Sequence, residues 1–296
     1  SNDYKTKQYT NYFPTVNLGY EFTKDHSITL GLNRRIRRPR SWFLNPFPSR
    51  SSVTNIFQGN PDLDPVISTA VDLGYLTKSG SFTFNGSVYY QHATDVFSFV
   101  SMPTGETVNM GGTDIPVIKR MPINLSTNDR YGGEMTVNYR VGRKFNANAN
   151  INLFKSVTKG TYQNQVFDAD NFSWFARLNA KYTLPADITW QTRLFYRGPR
   201  ETAQGNRKAM FSTSMAFSKD VFKNKGTLSL NISDLFNTRK FSMETLTDNY
   251  YSTNEYQWRK RSISLSFTYR FNQKKQQRRR QGNYNGGGGD DMEFPG

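Results

Sequence analysis

Five arginines fall in one seven-residue run, Arg34-Arg35-Ile36-Arg37-Arg38-Pro39-Arg40, and Trp42, Phe43 and Phe47 follow directly. Guanidinium groups bind phosphate or carboxylate through paired N–H donors, and aromatic rings stack on ligand faces. A ligand-binding rim is therefore read at Arg37, Arg38, Arg40, Trp42 and Phe43. Two blander uses compete with it. The same arginines can pair with carboxylates on neighbouring segments, or hold the phosphates of lipid headgroups. Asp62 and Asp64 are spaced like a calcium-binding pair. Asn60-Pro61-Asp62 reads better as a turn, because Asn and Asp satisfy local backbone donors and Pro fixes φ. His26 and His92 are the only histidines and there is no Cys, which excludes a thiolate zinc site and a cysteine nucleophile. No nucleophile–base pair, phosphate-cradling glycine loop or carboxylate dyad stands out. No catalytic residue, metal site or cofactor is assigned, and the chain is read as a non-enzyme.

The elements that position these residues follow from composition and pattern. The 296 residues carry 39 Lys+Arg against 23 Asp+Glu, a net charge of +16. There are 23 Phe, 17 Tyr and 4 Trp, yet only 35% of residues are hydrophobic and the mean hydropathy is negative. No window approaches 18 consecutive apolar residues, so no transmembrane helix is expected. Many rings with low hydropathy are expected when strands carry apolar residues on one face and polar residues on the other. The absence of Cys fits a secreted or envelope protein that avoids stray disulfides.

Alternation is the strongest signal. Phe145, Ala147, Ala149, Ile151 and Leu153 are interleaved with Asn146, Asn148, Asn150 and Asn152. Side chains alternate faces along a strand, so one face is apolar and the other is lined with amides. Ile263, Leu265, Phe267, Tyr269 and Phe271 oppose Ser262, Ser264, Ser266, Thr268 and Arg270. The same holds for 173–182, with Phe175 as an exception, and for 188–196. Weaker copies lie at 12–22, 28–36, 66–76, 82–90, 131–141, 209–217 and 227–232. That makes about eleven strands and no convincing helix, an all-β chain.

The connections alternate short and long. Short ones fall near 23–26, 77–80, 142–144, 185–187 and, more loosely, 219–226. Long ones span 39–65, 94–130, 157–171, 198–208 and 237–257. In an up-and-down meander this places every tight turn at one end and every long loop at the other, as in outer-membrane barrels. A soluble β-sandwich also alternates. Against it stand segments of about ten residues, which fit a tilted spanning strand, and a polar face that repeats Asn, Ser, Thr, Gly and Arg. Rings on the apolar face also sit near strand ends: Tyr20, Tyr75, Trp174, Tyr182, Trp190, Tyr196, Tyr269 and Phe271. Such rings form girdles at the two membrane interfaces. The fold class is an antiparallel transmembrane β-barrel, closed because unpaired backbone groups are too costly in hydrocarbon.

Three motifs carry a family resemblance. Gly59-Asn60-Pro61-Asp62-Leu63-Asp64-Pro65 resembles the G-N-P-x-L-x-P-E stretch before a strand of TonB-dependent outer-membrane receptors, with Val66 in place of the acidic residue. Asn231-Ile232-Ser233-Asp234-Leu235-Phe236-Asn237-Thr238-Arg239-Lys240-Phe241 looks like the N-L-F-D-K-x-Y ending of their penultimate strand. Residues 262–271 resemble their aromatic-terminated closing strand. The post-barrel tail is similar to that of the related barrel family of Bacteroidetes. The resemblance implies a barrel of about 22 strands. An odd strand count and the start at Ser1-Asn2-Asp3 lead us to expect the C-terminal half of that barrel here. The implied function is import of a scarce solute, of siderophore, oligosaccharide or peptide class. The alternative is a structural or adhesive barrel that scaffolds partner proteins. The implied partners are outer-membrane lipid and lipopolysaccharide, an N-terminal plug domain and a TonB-type energiser outside this chain, the barrel-assembly machinery and a surface lipoprotein.

Residues 1–271 are read as barrel strands and loops. Residues 272–296, with Lys274, Lys275, Arg278, Arg279, Arg280 and a glycine run, are read as a disordered periplasmic tail that touches no nucleic acid. The localisation expected is the outer membrane of a Gram-negative cell.

Overall fold

The computed structural model describes residues 8–49, 52–202, 204–247 and 250–271. The expected tail at 272–296 lies outside the described residues. The strands run in chain order: β1 Thr15–Thr23, β2 His26–Arg37, β3 Asn55–Phe57, β4 Val66–Ser79, β5 Phe82–Met110, β6 Thr113–Val141, β7 Phe145–Lys159, β8 Thr161–Tyr162 and β9 Gln165–Val166. They continue as β10 Ala169–Thr183, β11 Thr189–Arg197, β12 Arg200–Thr202, β13 Gly205–Arg207, β14 Met210–Val221, β15 Gly226–Ser233, β16 Phe241–Thr247, β17 Tyr250–Tyr256 and β18 Ser262–Tyr269. Among the described residues there is no α-helix.

Eleven of these strands form one antiparallel meander in the order β1-β2-β4-β5-β6-β7-β10-β11-β14-β15-β18. The two edges are β1 and β18, and both run toward the end that holds the tight turns. Those turns join β1 to β2, β4 to β5, β6 to β7, β10 to β11 and β14 to β15. Gly80 and Gly142 take φ of 55° and 53° in two of them, a left-handed conformation that glycine adopts without a Cβ clash.

Register turns the alternation of single strands into two continuous faces. Leu18, Leu30, Leu73, Val88, Gly133, Leu153 and Trp174 pair in sequence across seven strands. Five residues nearer the tight turns and on the opposite face, Thr83, Asn138, Asn148, Asn179, Arg193 and Ser214 do the same. The apolar face is uncovered: Leu265 is 70% exposed, and Leu18, Ile151 and Phe267 are exposed too. The polar face is knit by amides. Asn148 Nδ2 donates to Asn138 at 2.7 Å, Asn150 to Glu134 at 2.7 Å, and Arg193 Nε to Asn179 at 3.1 Å.

One expectation is corrected. Residues 94–130, read as a long loop, continue β5 and β6 as a hairpin of two 29-residue strands that close at Gly111-Gly112. The alternation fails there because both faces of the hairpin are packed. Val100, with Ile123 and Leu125, meets Phe167 on one face. Phe97 and Phe99 meet Phe43 on the other. The other long connections also hold structure. The hairpin β8–β9 forms within one, and β12, β13, β16 and β17 join two of them in a four-stranded sheet. An ion pair of 2.6 Å between Lys208 and Glu244 staples that sheet, and the Glu244 hydrogen bond raises the Lys208 ammonium above its ordinary pKa.

Candidate functional site

The loop-side end of the sheet is where the arginine run meets the aromatic loop. Arg37 closes β2, and its guanidinium carbon lies 4.6 Å from the Phe97 ring centre. Arg38 Nε donates to the Tyr9 hydroxyl at 3.1 Å. Arg40 is exposed and precedes a short 3-10 turn, Ser41–Phe43. Trp42 and Phe43 stand edge to face at 4.2 Å. Trp42 is 41% exposed and its ring also meets Phe57 and Phe99. Phe43 is 3% exposed, under Phe97 and Phe99. It is therefore the floor of the cluster and not a face open to ligand, because its apolar surface is spent on neighbouring rings. Arg120, across the hairpin, stacks on Phe99 at 5.1 Å. The ring and guanidinium cluster is thus wider than the residues read from the sequence. Phe57, Phe97, Phe99 and Arg120 belong to it, and the Phe-Ser-Phe spacing at 97–99 was the available signal.

The Gly59–Pro65 motif fastens this loop to the wall. The Gly59 N–H donates to Asn45 O and the Asn60 N–H to Phe43 O. A Cβ on Gly59 would sit 2.5 Å from Asn45 O, so only glycine permits this approach. Asn60 Oδ1 accepts the Asp62 N–H at 3.0 Å, and Asn60 Nδ2 donates to Pro122 O at 3.2 Å. Asn124 accepts the Asp64 N–H and donates to both Asp64 O and Asp95 O. These contacts make the motif a structural clasp. Among the described residues no cluster of three His, Asp or Glu is arranged for a metal. At the other end of the chain, buried Asp234 accepts the Thr238 and Arg239 N–H groups, and Asn237 accepts from Gln257 and the Arg261 N–H. The second motif likewise closes a loop base.

The ring residues fall in two rows on the apolar face. Tyr20, Tyr75, Tyr182, Trp190 and Tyr269 lie toward the tight turns, with Phe271 two residues past β18. Trp174 and Tyr196 lie toward the loops, 4.4 Å apart. The rows contain further members: Tyr139, Phe145 and Phe217 below, and the cross-strand pair Tyr90 and Tyr131 with Phe211 above.

An open wall with one apolar face, one hydrogen-bonded polar face and all loops at one end is the wall of a transmembrane β-barrel. The chain belongs to the outer membrane protein beta-barrel family, whose model matches residues 1–269. That family places it in an outer membrane. Its fold is similar to the FrpB iron transporter from Neisseria meningitidis (16% identity, TM-score 0.54, covering 88% of this chain and 38% of that one). It is also similar to the ferric yersiniabactin uptake receptor FyuA from Yersinia pestis (12%, TM-score 0.55, 86% and 36%) and to the copper transporter OprC (14%, TM-score 0.54, 87% and 39%). The chain spans about two-fifths of the length of these structures, and at these identities the likeness is one of fold. No curated protein matches it in sequence. The family and these barrels bear out the resemblance read from the three motifs.

Proposed function

We propose that this chain is the C-terminal half of an outer-membrane uptake barrel, in which the loop-side rim selects a scarce solute that then crosses a polar lumen. The observation that carries this reading is the pre-assembled rim above a hydrogen-bonded polar wall, with guanidinium groups stacked on rings around a half-exposed Trp42. The solute expected is of siderophore, oligosaccharide or peptide class, and the names of the similar barrels, an iron transporter, a copper transporter and a ferric yersiniabactin uptake receptor, support the first of these. The directions of the edge strands fit a half-barrel. Because β1 and β18 run the same way, antiparallel closure takes an odd number of further strands, and a second copy of this chain placed edge to edge would pair in parallel. A plug domain in the lumen and a TonB-type energiser complete the transport cycle. The barrel-assembly machinery reads β18, lipopolysaccharide meets the outward cations, and residues 272–296 hang in the periplasm of a Gram-negative cell.

Uptake is the test. Deleting residues 38–47 in the full-length protein, or replacing Trp42 with Ala, is expected to lower solute accumulation in cells with the barrel still assembled. Unchanged accumulation would remove the rim from the uptake route. A second reading, a barrel that holds partner proteins, is favoured by one observation. The outer sheet and the turn after it leave Leu246, Tyr251, Tyr256 and Trp258 exposed. Capture of a surface lipoprotein that is lost on Tyr251→Ala, with accumulation unchanged by both rim variants, would decide for that reading.

A further inference from the structure

Below the rim, β10 and β11 carry an ordered set of cations on the polar face. Four successive cross-strand pairs on that face are Phe175 with Arg197, Arg177 with Phe195, Asn179 with Arg193, and Lys181 with Gln191. Each pair holds one cation, and the cations alternate between the two strands. The rungs are spaced two residues apart, about 7 Å, from the loop end down toward the turn end. The other charged residue of these two strands, Asp170, lies on the opposite face, where its ion pair is with Lys155 at 2.9 Å. The flanking face of β7 is Asn146, Asn148, Asn150 and Asn152, which is polar but uncharged.

Three of these cations, Arg177, Arg193 and Lys181, are not held by carboxylates. Among the described residues Arg177, Lys181 and Arg193 make no ion pair, and all three are exposed. In the register row of Phe175 and Arg197 the carboxylate is Glu134, two strands from β10, and it accepts hydrogen bonds from Asn150 and Asn152. Arg177 is positioned by rings: its guanidinium carbon lies 5.2 Å from the Phe175 ring centre and 5.4 Å from that of Phe195. Stacking on hydrocarbon fixes the guanidinium plane and leaves its in-plane N–H donors for an anion. Arg193 is steered by Asn179. Rows of Lys or Arg along a pore wall select anions by their charge, and a series of weak sites lets the ligand pass on.

We propose that the β10–β11 ladder of Arg177, Arg193 and Lys181 is an anion-binding track on the lumen wall, taking carboxylate or phosphate groups. This rests on the barrel reading, which assigns the polar face to the lumen. Two sources supply that chemistry: an anionic solute in transit, or acidic side chains of a protein segment seated in the lumen.

The test uses the full-length protein in detergent, titrated calorimetrically with citrate at low ionic strength. Citrate is expected to bind, and to bind more weakly as KCl rises. The double variant Arg177→Gln/Arg193→Gln is expected to weaken binding roughly tenfold or more, as for loss of charge-assisted hydrogen bonds. Arg177→Lys/Arg193→Lys is expected to keep most of it. If citrate does not bind the wild type, but the Gln variant exposes a lumenal segment to protease that the wild type and the Lys variant protect, the track holds protein carboxylates and the anion assignment stands. No citrate binding and identical protease patterns would overturn it. Heat-modifiable migration of each variant reports the barrel separately. Its loss in the wild type would remove the barrel reading itself and not the ladder alone.

Discussion

The turn-side sheet and the loop-side assembly use the same residue types in opposite ways. In the sheet, bulky apolar side chains stand uncovered, and Leu265 at 70% exposure is representative of β18. In the loop-side assembly Val100 is 0% exposed, Ile123 1%, Leu125 2% and Phe167 3%. Among the described residues, all the buried hydrophobic ones lie in or next to the long connections, from Phe43 to Val66, from Ala93 to Leu125, and at Phe167 and Met243. The difference is one of solvent. The loops stand in water and must build their own core, whereas the sheet delegates that task to lipid chains. A large-to-small substitution should therefore separate the two regions. Ile123→Ala is expected to cost about 2–5 kcal/mol, by lost transfer energy and a residual cavity. Leu265→Ala is expected to cost less than about 1 kcal/mol, since lipid tails are as apolar as leucine and flow into the gap. Urea unfolding in vesicles, with hydrogen exchange to locate the loss, would measure both. Equal costs would abolish the contrast.

Charge gives the reverse test inside the sheet. Leu265→Arg is expected to cost about 2–4 kcal/mol, whereas Arg at the adjacent Ser264, on the lumen side, should be mild. The two residues pair with Leu230 and Asn231 respectively, so the facing is fixed by register and not by sequence pattern alone. Equal tolerance would mean that the apolar face does not meet lipid.

The loop-side assembly is itself two packed pieces, and one side chain bridges them. Gln204, between β12 and β13, accepts the Ser101 N–H at 2.6 Å and donates to Ser101 O at 3.0 Å, across 103 residues. Gln204→Ala removes both bonds and is expected to cost about 1–3 kcal/mol, confined to the loops. Spin labels on the β5–β6 hairpin and on β17 should report a wider distance distribution. An unchanged distribution would show that the two pieces are held by other contacts.

What could be read in advance follows the same division. All eleven wall strands, and the segregation of turns from loops, were legible because one face meets lipid and the other water, which enforces a period of two. The hairpin beyond Thr94 was illegible because Phe97 and Phe99 pack one way and Val100 the other, which erases that period. At the site, the arginine run and Trp42 were visible as local sequence. Phe57, Phe97, Phe99 and Arg120 were not, because they reach the rim only through the parallel β3–β6 pairing and the extended hairpin. The cation ladder shared this fate: its rungs sit on two strands, and only the β10–β11 register sets them in order.

The boundary between the two regions can be located chemically. Asp129 lies two residues to the loop side of Tyr131 on β6, and it accepts hydrogen bonds from the Tyr90 hydroxyl at 2.6 Å and His92 Nδ1 at 2.8 Å. The Tyr90 bond, and then the His92 bond, hold the Asp129 carboxyl below its ordinary value of 3.8. A depressed carboxylate pKa means that the folded state binds the proton less well than the unfolded chain. The stabilisation is therefore present in full above 3.8 and is lost as pH falls through the lower folded value. The site is partly exposed, so the effect is small, about 0–1 kcal/mol. Asp129→Asn should lower stability slightly at neutral pH, and the gap to the wild type should close in acid. A gap that stays constant from neutral pH into acid would show that the carboxylate gains nothing from Tyr90 and His92. The water boundary would then have to be drawn elsewhere on β6.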